Sequence, residues 1–413
     1  MALETLEIVA LGPRVGGIAK PAGRPVTFVR GALPGERVAC EISETRSSFR
    51  VASLVEVLDP CSDRIEPACP AFPECGGCSM QNLAYGSQLE WKRKWVQDAT
   101  RRTGLGEAGL GTVIPSPSQT GYRNRVAFEI LGGRPGLHRF RGDPFRVDDC
   151  PLLDQGGRDL LRTLAASDLS FCTRMCIRSS AGVDSRAVEF AGCASAPPSG
   201  LLPAGVSQAW SGTRGILEAS CGWSFREELG GFGFPLPPGG FFQVNTTAAG
   251  RMAEMVTRMA AGAHKVLDLY GGVGVFALPL ASAGAEVCSV EISSAASEAG
   301  RLAACGAGLG VEFVTSDCGR FLDRARREGA AWDLVISDPP RAGMDAPSRA
   351  ALLDLAPGRL ILVSCDPQTL GRDLLAFAGS YDVLEAVSLD LFPQTDSTET
   401  VVLLERIDRR SVT

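Results

Sequence analysis

From residue 265 onward the chain repeats one arrangement: a short apolar run, an acidic residue or cysteine at its end, a turn, and often a helical stretch. "KVLDL" enters "YGGVG" and the helical "VFALPLA"; "AEVCSVEIS", "WDLVISDPP" and "GRLILVSCD" follow. Strands alternating with helices build a doubly wound parallel sheet, because parallel neighbours need a crossover between them. Such sheets take ligands at the carboxyl ends of their strands, where the strand order reverses. The runs end on Asp268, Glu291, Asp317, Asp338 and Cys365. Folded this way, four carboxylates and one thiol share an edge. A cysteine after "LILV" suits core packing equally well, and local sequence leaves both readings open.

The remaining chain has a different texture. With 413 residues, 45% of them hydrophobic, it exceeds one ordinary core and predicts an α/β protein of several domains. Residues 1–60 hold five short alternating runs separated by Gly and Pro, the pattern of a small OB-like barrel. Residues 61–240 carry a cysteine cluster and then strand-like runs broken by Gly and Pro, which predicts a mainly-β central domain. Residues 241–413 form the α/β unit. No run of about 18 apolar residues predicts a membrane span. The start "MALETLEIVALGPR" lacks the basic and apolar regions of a signal peptide. A cytoplasmic monomer is expected.

Net charge is −6, but it is unevenly spread: residues 1–60 balance, residues 61–150 carry +2, and the rest carries −8. The front of the molecule is therefore the better match for a phosphate backbone. Within it, "YGSQLEWKRKWVQDATRRTG" reads as an amphipathic helix. Its apolar residues are Leu89, Trp91, Trp95 and Val96, and its basic residues are Lys92, Arg93, Lys94, Arg101 and Arg102. That basic face is either solvated or an RNA contact.

"CPAFPECGGC" places Cys69, Cys75 and Cys78 together. Two cysteines separated by two glycines can grip one centre while the backbone turns. A fourth ligand closes such a site, with Cys150 the first candidate and Cys61 the second. Thiolate sets of this kind hold zinc or iron–sulfur clusters, and spacing alone does not separate them.

Around "DLYGGVGVF" the glycines Gly271, Gly272 and Gly274 allow a ligand close to the backbone at a helix start. The dinucleotide fingerprint is not met, because Ala277 stands where its third glycine belongs. Glu291, one strand later, is spaced to hold ribose hydroxyls. Asp317 ends a third strand, where it could accept from an adenine amine. The set points to S-adenosylmethionine rather than a nicotinamide. "SDPP" then puts Asp338 before two loop-fixing prolines, a pattern of methyltransferases that act on bases.

At this point the chain resembles the RNA uracil-5-methyltransferases, in particular the iron–sulfur ribosomal-RNA type with an N-terminal TRAM domain. The segments carrying the resemblance are "ECGGCSMQ", "YRNRVAFE", "GGFFQVN", "DLYGGVGVFALPLA", "SDPPRAG", "VSCDPQTLGRDL" and "LFPQTDSTETVVLLER". It implies that Cys69, Cys75, Cys78 and Cys150 hold a [4Fe–4S] cluster. It implies that Gln243, Tyr270, Gly272, Gly274, Glu291, Asp317 and Asp338 line the S-adenosylmethionine site. Cys365 would be the nucleophile and Glu399 the base. The expected reaction is methylation of uridine C5 in ribosomal RNA, with transfer RNA as the alternative substrate and a non-catalytic RNA-binding relative as the competing class. Three positions depart from the family pattern: Asp366 replaces asparagine, Ser397 replaces histidine, and Gly271 replaces cysteine. Asp366, if ionised beside Cys365, is expected to raise the thiol pKa.

Overall fold

The computed structural model describes residues 3–407, apart from 104–109, 141, 181, 216 and 220–222. The N-terminal strands are β1 (Leu3–Glu7), β2 (Ala10–Gly12), β3 (Gly16–Ala19), β4 (Val26–Arg30), β5 (Arg37–Thr45) and β6 (Phe49–Asp59). Their order is β1-β5-β6-β4-β3-β2. The five runs expected from sequence are six strands, because the first of them, "TLEIVALG", is split in two. Its first half pairs with β5 and its second with β3. Ile8 and Val9 make the switch: Ile8 N–H donates to Glu36 O, and Val9 N–H to Ile18 O. One continuous segment therefore occupies both ends of the strand order, so the sheet curls on itself and buries Leu6, Val29, Val38 and Cys40.

After α1 (Tyr85–Thr100) comes a second sheet built from β7 (Arg125–Leu131), β8 (Arg134–His138), β9 (Pro144–Arg146), β10 (Arg174–Ser180), β11 (Ser185–Cys193), β12 (Val206–Gly212) and β13 (Leu217–Ala219). The hairpin β14 (Arg226–Leu229) and β15 (Phe232–Pro235) follows. The second sheet carries a helix that the strand-like reading of this region missed, α2 (Gln155–Ala165). Asp154 caps it by accepting from Gly157 N–H at 2.8 Å, and Leu160, Leu161 and Leu164 face the sheet core. An acidic cap before leucines at helical spacing was the available signal.

The C-terminal sheet is built from α3 (Thr246–Met259), β16 (Lys265–Leu269), α4 (Ala277–Ser282), β17 (Glu286–Glu291), α5 (Ser294–Gly306), β18 (Val311–Thr315), α6 (Cys318–Glu328), β19 (Leu334–Ser337), α7 (Ala346–Leu355), β20 (Arg359–Ser364), α8 (Pro367–Phe377), β21 (Tyr381–Leu389) and β22 (Glu399–Arg406). Strand order is β18-β17-β16-β19-β20-β22-β21. The strands through β20 are parallel, and β22 runs antiparallel between β20 and β21. Because the order reverses at β16 and β19, the crevice opens there. Apolar clusters cover both faces, which is why the strands read as continuous apolar runs.

α1 corrects one expectation. Lys92 does not sit on a basic outer face. It is fully buried, donates to Asp390 Oδ1 at 2.6 Å, and also reaches Phe392 O at 3.1 Å. Arg93, Lys94, Arg101 and Arg102 remain at least partly exposed. Gln88, one turn earlier, bonds Gln394 through side chain and backbone. The helix is thus a strut under the segment 390–396 that leads into β22.

Candidate active site

Strand direction assembles this site. β22 is antiparallel to β20 with Ser364 opposite Thr400, so Cys365, one residue past the end of β20, comes near Glu399, the first residue of β22. The start of an antiparallel strand lies where its parallel neighbours end. That brings a glutamate 34 residues downstream beside the cysteine that follows β20. Glu399 is buried, and Asp338 at the end of β19 acts on both residues.

Charge in this pocket opposes ionisation. Burial, then the nearby carboxylates of Glu399 and Asp338, push the Cys365 thiol up to about 12, while Arg341 opposes the rise. Burial pushes Asp338 up to about 7. Burial and then Asp338 raise Glu399 well above the usual carboxylate range. At neutral pH the resting thiol is protonated.

Asp366 raises the pKa of the Cys365 thiol, as expected, but it also has a structural role. Its side chain caps α8, accepting from Gln368 N–H at 3.0 Å and Thr369 N–H at 3.2 Å. It also pairs with Arg14 from the N-terminal barrel and lies 3.7 Å from Arg341. Its influence on the thiol ranks below those of Glu399, Asp338 and Arg341.

The glycine turn after β16 is held by Glu291, whose carboxylate accepts from Gly272 N–H at 3.1 Å and Ser293 N–H at 2.8 Å. Tyr270 and Gly272 take φ values of 59° and 55°. A Cβ at Gly272 would meet open space, whereas one at Gly274 would lie 2.7 Å from Leu278. Gly271 has its own reason to be glycine: an added Cβ would fall 2.1 Å from Ser289 Oγ and 2.7 Å from Asp268 Oδ2. Asp317 caps α6 through Arg320 N–H at 3.0 Å. Gln243 lies two residues before the α3 cap, and its carbonyl accepts from Asn124 at 2.8 Å.

Two further residues belong to this edge. Asp268 is fully buried, pushed up to about 8 by burial and then by Asp338, and its Oδ1 has no hydrogen-bond partner. Arg341 is the cation nearest the thiol in effect. Asp268 is placed at this edge by its strand end but is not among the residues expected to bind the cofactor; Arg341 sits on a loop, and only the fold brings it to Cys365. A buried acid with one unpartnered oxygen, among Glu291, Asp317 and Asp338, fits a cationic ligand, and S-adenosylmethionine carries both an ammonium and a sulfonium.

A second site lies outside this sheet. Cys69, Cys75, Cys78 and Cys150 line one cavity of about 320 Å³. Cys61 is not among its lining residues; it packs near Gly35 instead. Gly77 N–H points to Cys75 Sγ at 3.4 Å. Arg123 and Arg125 also line the cavity, and their Nε atoms are buried without a partner. Among the described residues no three His, Cys, Asp or Glu side chains converge closely enough to hold one metal ion. Zinc needs sulfurs about 2.3 Å from a common point. Thiols spread around a cavity edged by unpartnered arginine nitrogens fit a larger anionic group, as an iron–sulfur cluster is.

Comparison with known proteins places these features in a family. The family profile described as tRNA (Uracil-5-)-methyltransferase matches residues 322–407, from within α6 through β22. An RNA methyltransferase of Nitratidesulfovibrio vulgaris is 33% identical, over 97% of this chain and 96% of that protein. The 23S rRNA (uracil(1939)-C(5))-methyltransferase RlmD of Bordetella pertussis is 31% identical, over 99% of this chain and 95% of its own. Among solved structures, the tRNA (uracil-54, C5)-methyltransferase of Pyrococcus abyssi, in complex with S-adenosyl-L-homocysteine, matches with a TM-score of 0.79 and 26% identity, covering 97% of this chain and 100% of that one. The chain belongs to the S-adenosylmethionine-dependent RNA (uracil-C5)-methyltransferases.

Proposed function

We propose that this enzyme methylates C5 of a uridine in ribosomal RNA through a covalent bond between Cys365 and C6 of the base. The observation that carries this reading is the β20–β22 register, which brings a thiol near a buried carboxylate at the ligand edge of the sheet. C5 of uracil is a weak nucleophile. Addition of the Cys365 sulfur to C6 moves the C5–C6 electron pair toward the C4 carbonyl, and the resulting enolate is nucleophilic at C5. S-adenosylmethionine would supply the electrophilic methyl group, which C5 takes as the methyl–sulfur bond breaks and S-adenosylhomocysteine leaves. Glu399, as carboxylate, then takes the C5 proton. The C5–C6 double bond re-forms and the Cys365 sulfur leaves. The base has to leave its stack to reach the thiol.

Asp268, Glu291, Asp317 and Asp338 are proposed to hold S-adenosylmethionine, with Gln243 and Tyr270 beside them and Gly272 and Gly274 leaving backbone room. Cys69, Cys75, Cys78 and Cys150 are proposed to hold a [4Fe–4S] cluster. It would tie the loop 69–78 to the segment after β9, and methyl transfer itself requires no redox step. The N-terminal barrel, the TRAM domain of the resemblance, is proposed to contact RNA.

Identity of 31% over 99% of the chain to a 23S rRNA enzyme supports ribosomal RNA. The whole-chain match to a transfer-RNA enzyme supports the second reading. Mapping 5-methyluridine in both RNAs of a deletion strain decides between them. For the chemistry, RNA containing 5-fluorouracil should give a denaturation-resistant adduct mapping to the Cys365 peptide. An adduct on another peptide, or none, contradicts the mechanism.

A further inference from the structure

The turn between β2 and β3 reaches from the barrel into the catalytic sheet. There Arg14 makes two contacts with carboxylates of the catalytic unit. Its backbone N–H donates to Asp396, in the segment leading to Glu399, and its guanidinium donates to Asp366, the residue after Cys365. Arg14 is not glycine, yet its φ is 65°, a conformation that an L-residue adopts only when its surroundings hold it there. The Asp396 bond supplies such a hold. Arg14, Arg341 and Asp396 also line one cleft of about 190 Å³, where the barrel, the cysteine loop and the catalytic sheet meet.

We propose that Arg14 is a positioning residue for the methyl-transfer reaction, acting through Asp366: it fixes the α8 cap beside Cys365 and neutralises the charge that an aspartate brings there. This rests on the reading of Cys365 as nucleophile, but its test does not require methylation.

The charged groups facing Cys365 are Glu399 on β22, Asp338 after β19, Arg341 on the following loop, and Asp366 itself. Those facing Asp366 are Arg14 and Arg341. An asparagine at 366 would cap α8 with the same geometry and need no counter-charge. An aspartate needs one, because a free carboxylate next to the nucleophile disfavours the thiolate. Arg341 lies farther from Asp366 than Arg14 does and also serves the thiol, so Arg14 is the dedicated partner. Arg14 is half-exposed, so solvent screens the pair and the expected effect is modest.

The experiment is the pH dependence of Cys365 alkylation in the full-length protein, read by mass spectrometry of the Cys365 peptide. Thermal melting and S-adenosylmethionine binding serve as controls for folding. Arg14→Gln should slow alkylation at fixed pH by about threefold, equivalent to a shift of about half a pH unit. Arg14→Lys should restore most of the rate. Asp366→Asn, with Arg14 intact, should speed it by a similar factor. In the Asp366→Asn background, Arg14→Gln should have no further effect. Equal slowing by Arg14→Gln in both backgrounds would show that Arg14 does not act through Asp366 and overturn the proposal. No slowing in the parent, or slower alkylation in Asp366→Asn, also overturns the proposal. Methylation kinetics of the same variants separate the two readings. A Cys365→Ala enzyme that still methylates removes Cys365 from the mechanism but leaves the alkylation result standing.

Discussion

The cavity around Cys69, Cys75, Cys78 and Cys150 is edged by arginine, while the crevice around Cys365 is edged by carboxylate. Burial raises the thiol pKa in both places, taking Cys78 and Cys365 alike to about 12. Their neighbours then separate them. Arg123 and its unpartnered Nε favour anionic sulfur in the cavity, which suits four thiolates gathered permanently around a cluster. Glu399 and Asp338 disfavour it in the crevice. That suits a sulfur which becomes anionic only when substrate and a cationic methyl donor are in place, and which must later leave. The residue type is the same; the charge of the surroundings fits the permanent ligation proposed for one and the transient attack proposed for the other.

A double dissociation breaks or sharpens this contrast. Cys365→Ala should lower methylation by at least about 10⁴-fold and leave iron content unchanged. Cys78→Ala should remove the iron and the broad absorption near about 400 nm typical of thiolate-bound clusters, yet leave the pH profile of Cys365 alkylation where it was. Stoichiometric zinc without iron in the parent protein would contradict the reading of the cavity.

The strut beneath the crevice gives the next largest effect. Lys92→Ala leaves Asp390 buried and unpaired. It should cost about 3–5 kcal/mol in denaturant unfolding, with Lys92→Met also destabilising because it restores packing but not charge.

The pH response of catalysis follows from the crevice alone. Cys365 must lose a proton to add, and Glu399 must have lost one to accept. Burial and the nearby carboxylates raise the thiol to about 12, so the step it begins should make kcat/KM climb between about pH 6 and 9, by up to about tenfold per unit, with no falling limb from these two groups. A bell centred near neutrality would show that another group controls the rate.

Stability should run the opposite way. Burial raises Asp338 to about 7, Asp268 to about 8, and Glu227, beneath Thr246, to about 7. A carboxyl whose folded pKa exceeds its unfolded value stabilises the fold fully below about pH 4, and that contribution is lost as pH rises through 7–8. The melting temperature should therefore be lower at pH 9 than at pH 6. Asp268→Asn should flatten that slope, and an unchanged slope would mean that Asp268 does not titrate in this range. The smallest change is Asp366→Ala, which loses the α8 cap for about 1 kcal/mol.

The catalytic sheet was legible because its parallel strands are buried on both faces and each ends in a polar residue at the ligand edge. Asp338 and Cys365 could be placed there from sequence. Glu399 could not be placed by periodicity, since its position depends on an antiparallel strand entering between β20 and β21; only the resemblance pointed to it. Lys92 was misread because a buried lysine looks like an exposed one until Asp390, 298 residues away, is brought beneath it. Arg14 gave no local signal at all. Its role exists only where the barrel docks, so a deletion of residues 1–60 would not test RNA binding alone. The deletion would also remove Arg14 from Asp366, and Arg30 from the carbonyls of Cys75 and Cys78, which it reaches at 3.0 and 2.9 Å.

The division of labour between Cys365 and Glu399 is tested most directly with Glu399→Gln and a uridine-containing substrate RNA. Glutamine cannot accept the C5 proton, so attack and methyl transfer should proceed and elimination should stall. A methylated protein–RNA complex should accumulate, retarded on a denaturing gel and attached at the Cys365 peptide. Normal turnover by Glu399→Gln, with no trapped complex, would contradict the assignment and send the C5 proton to another acceptor.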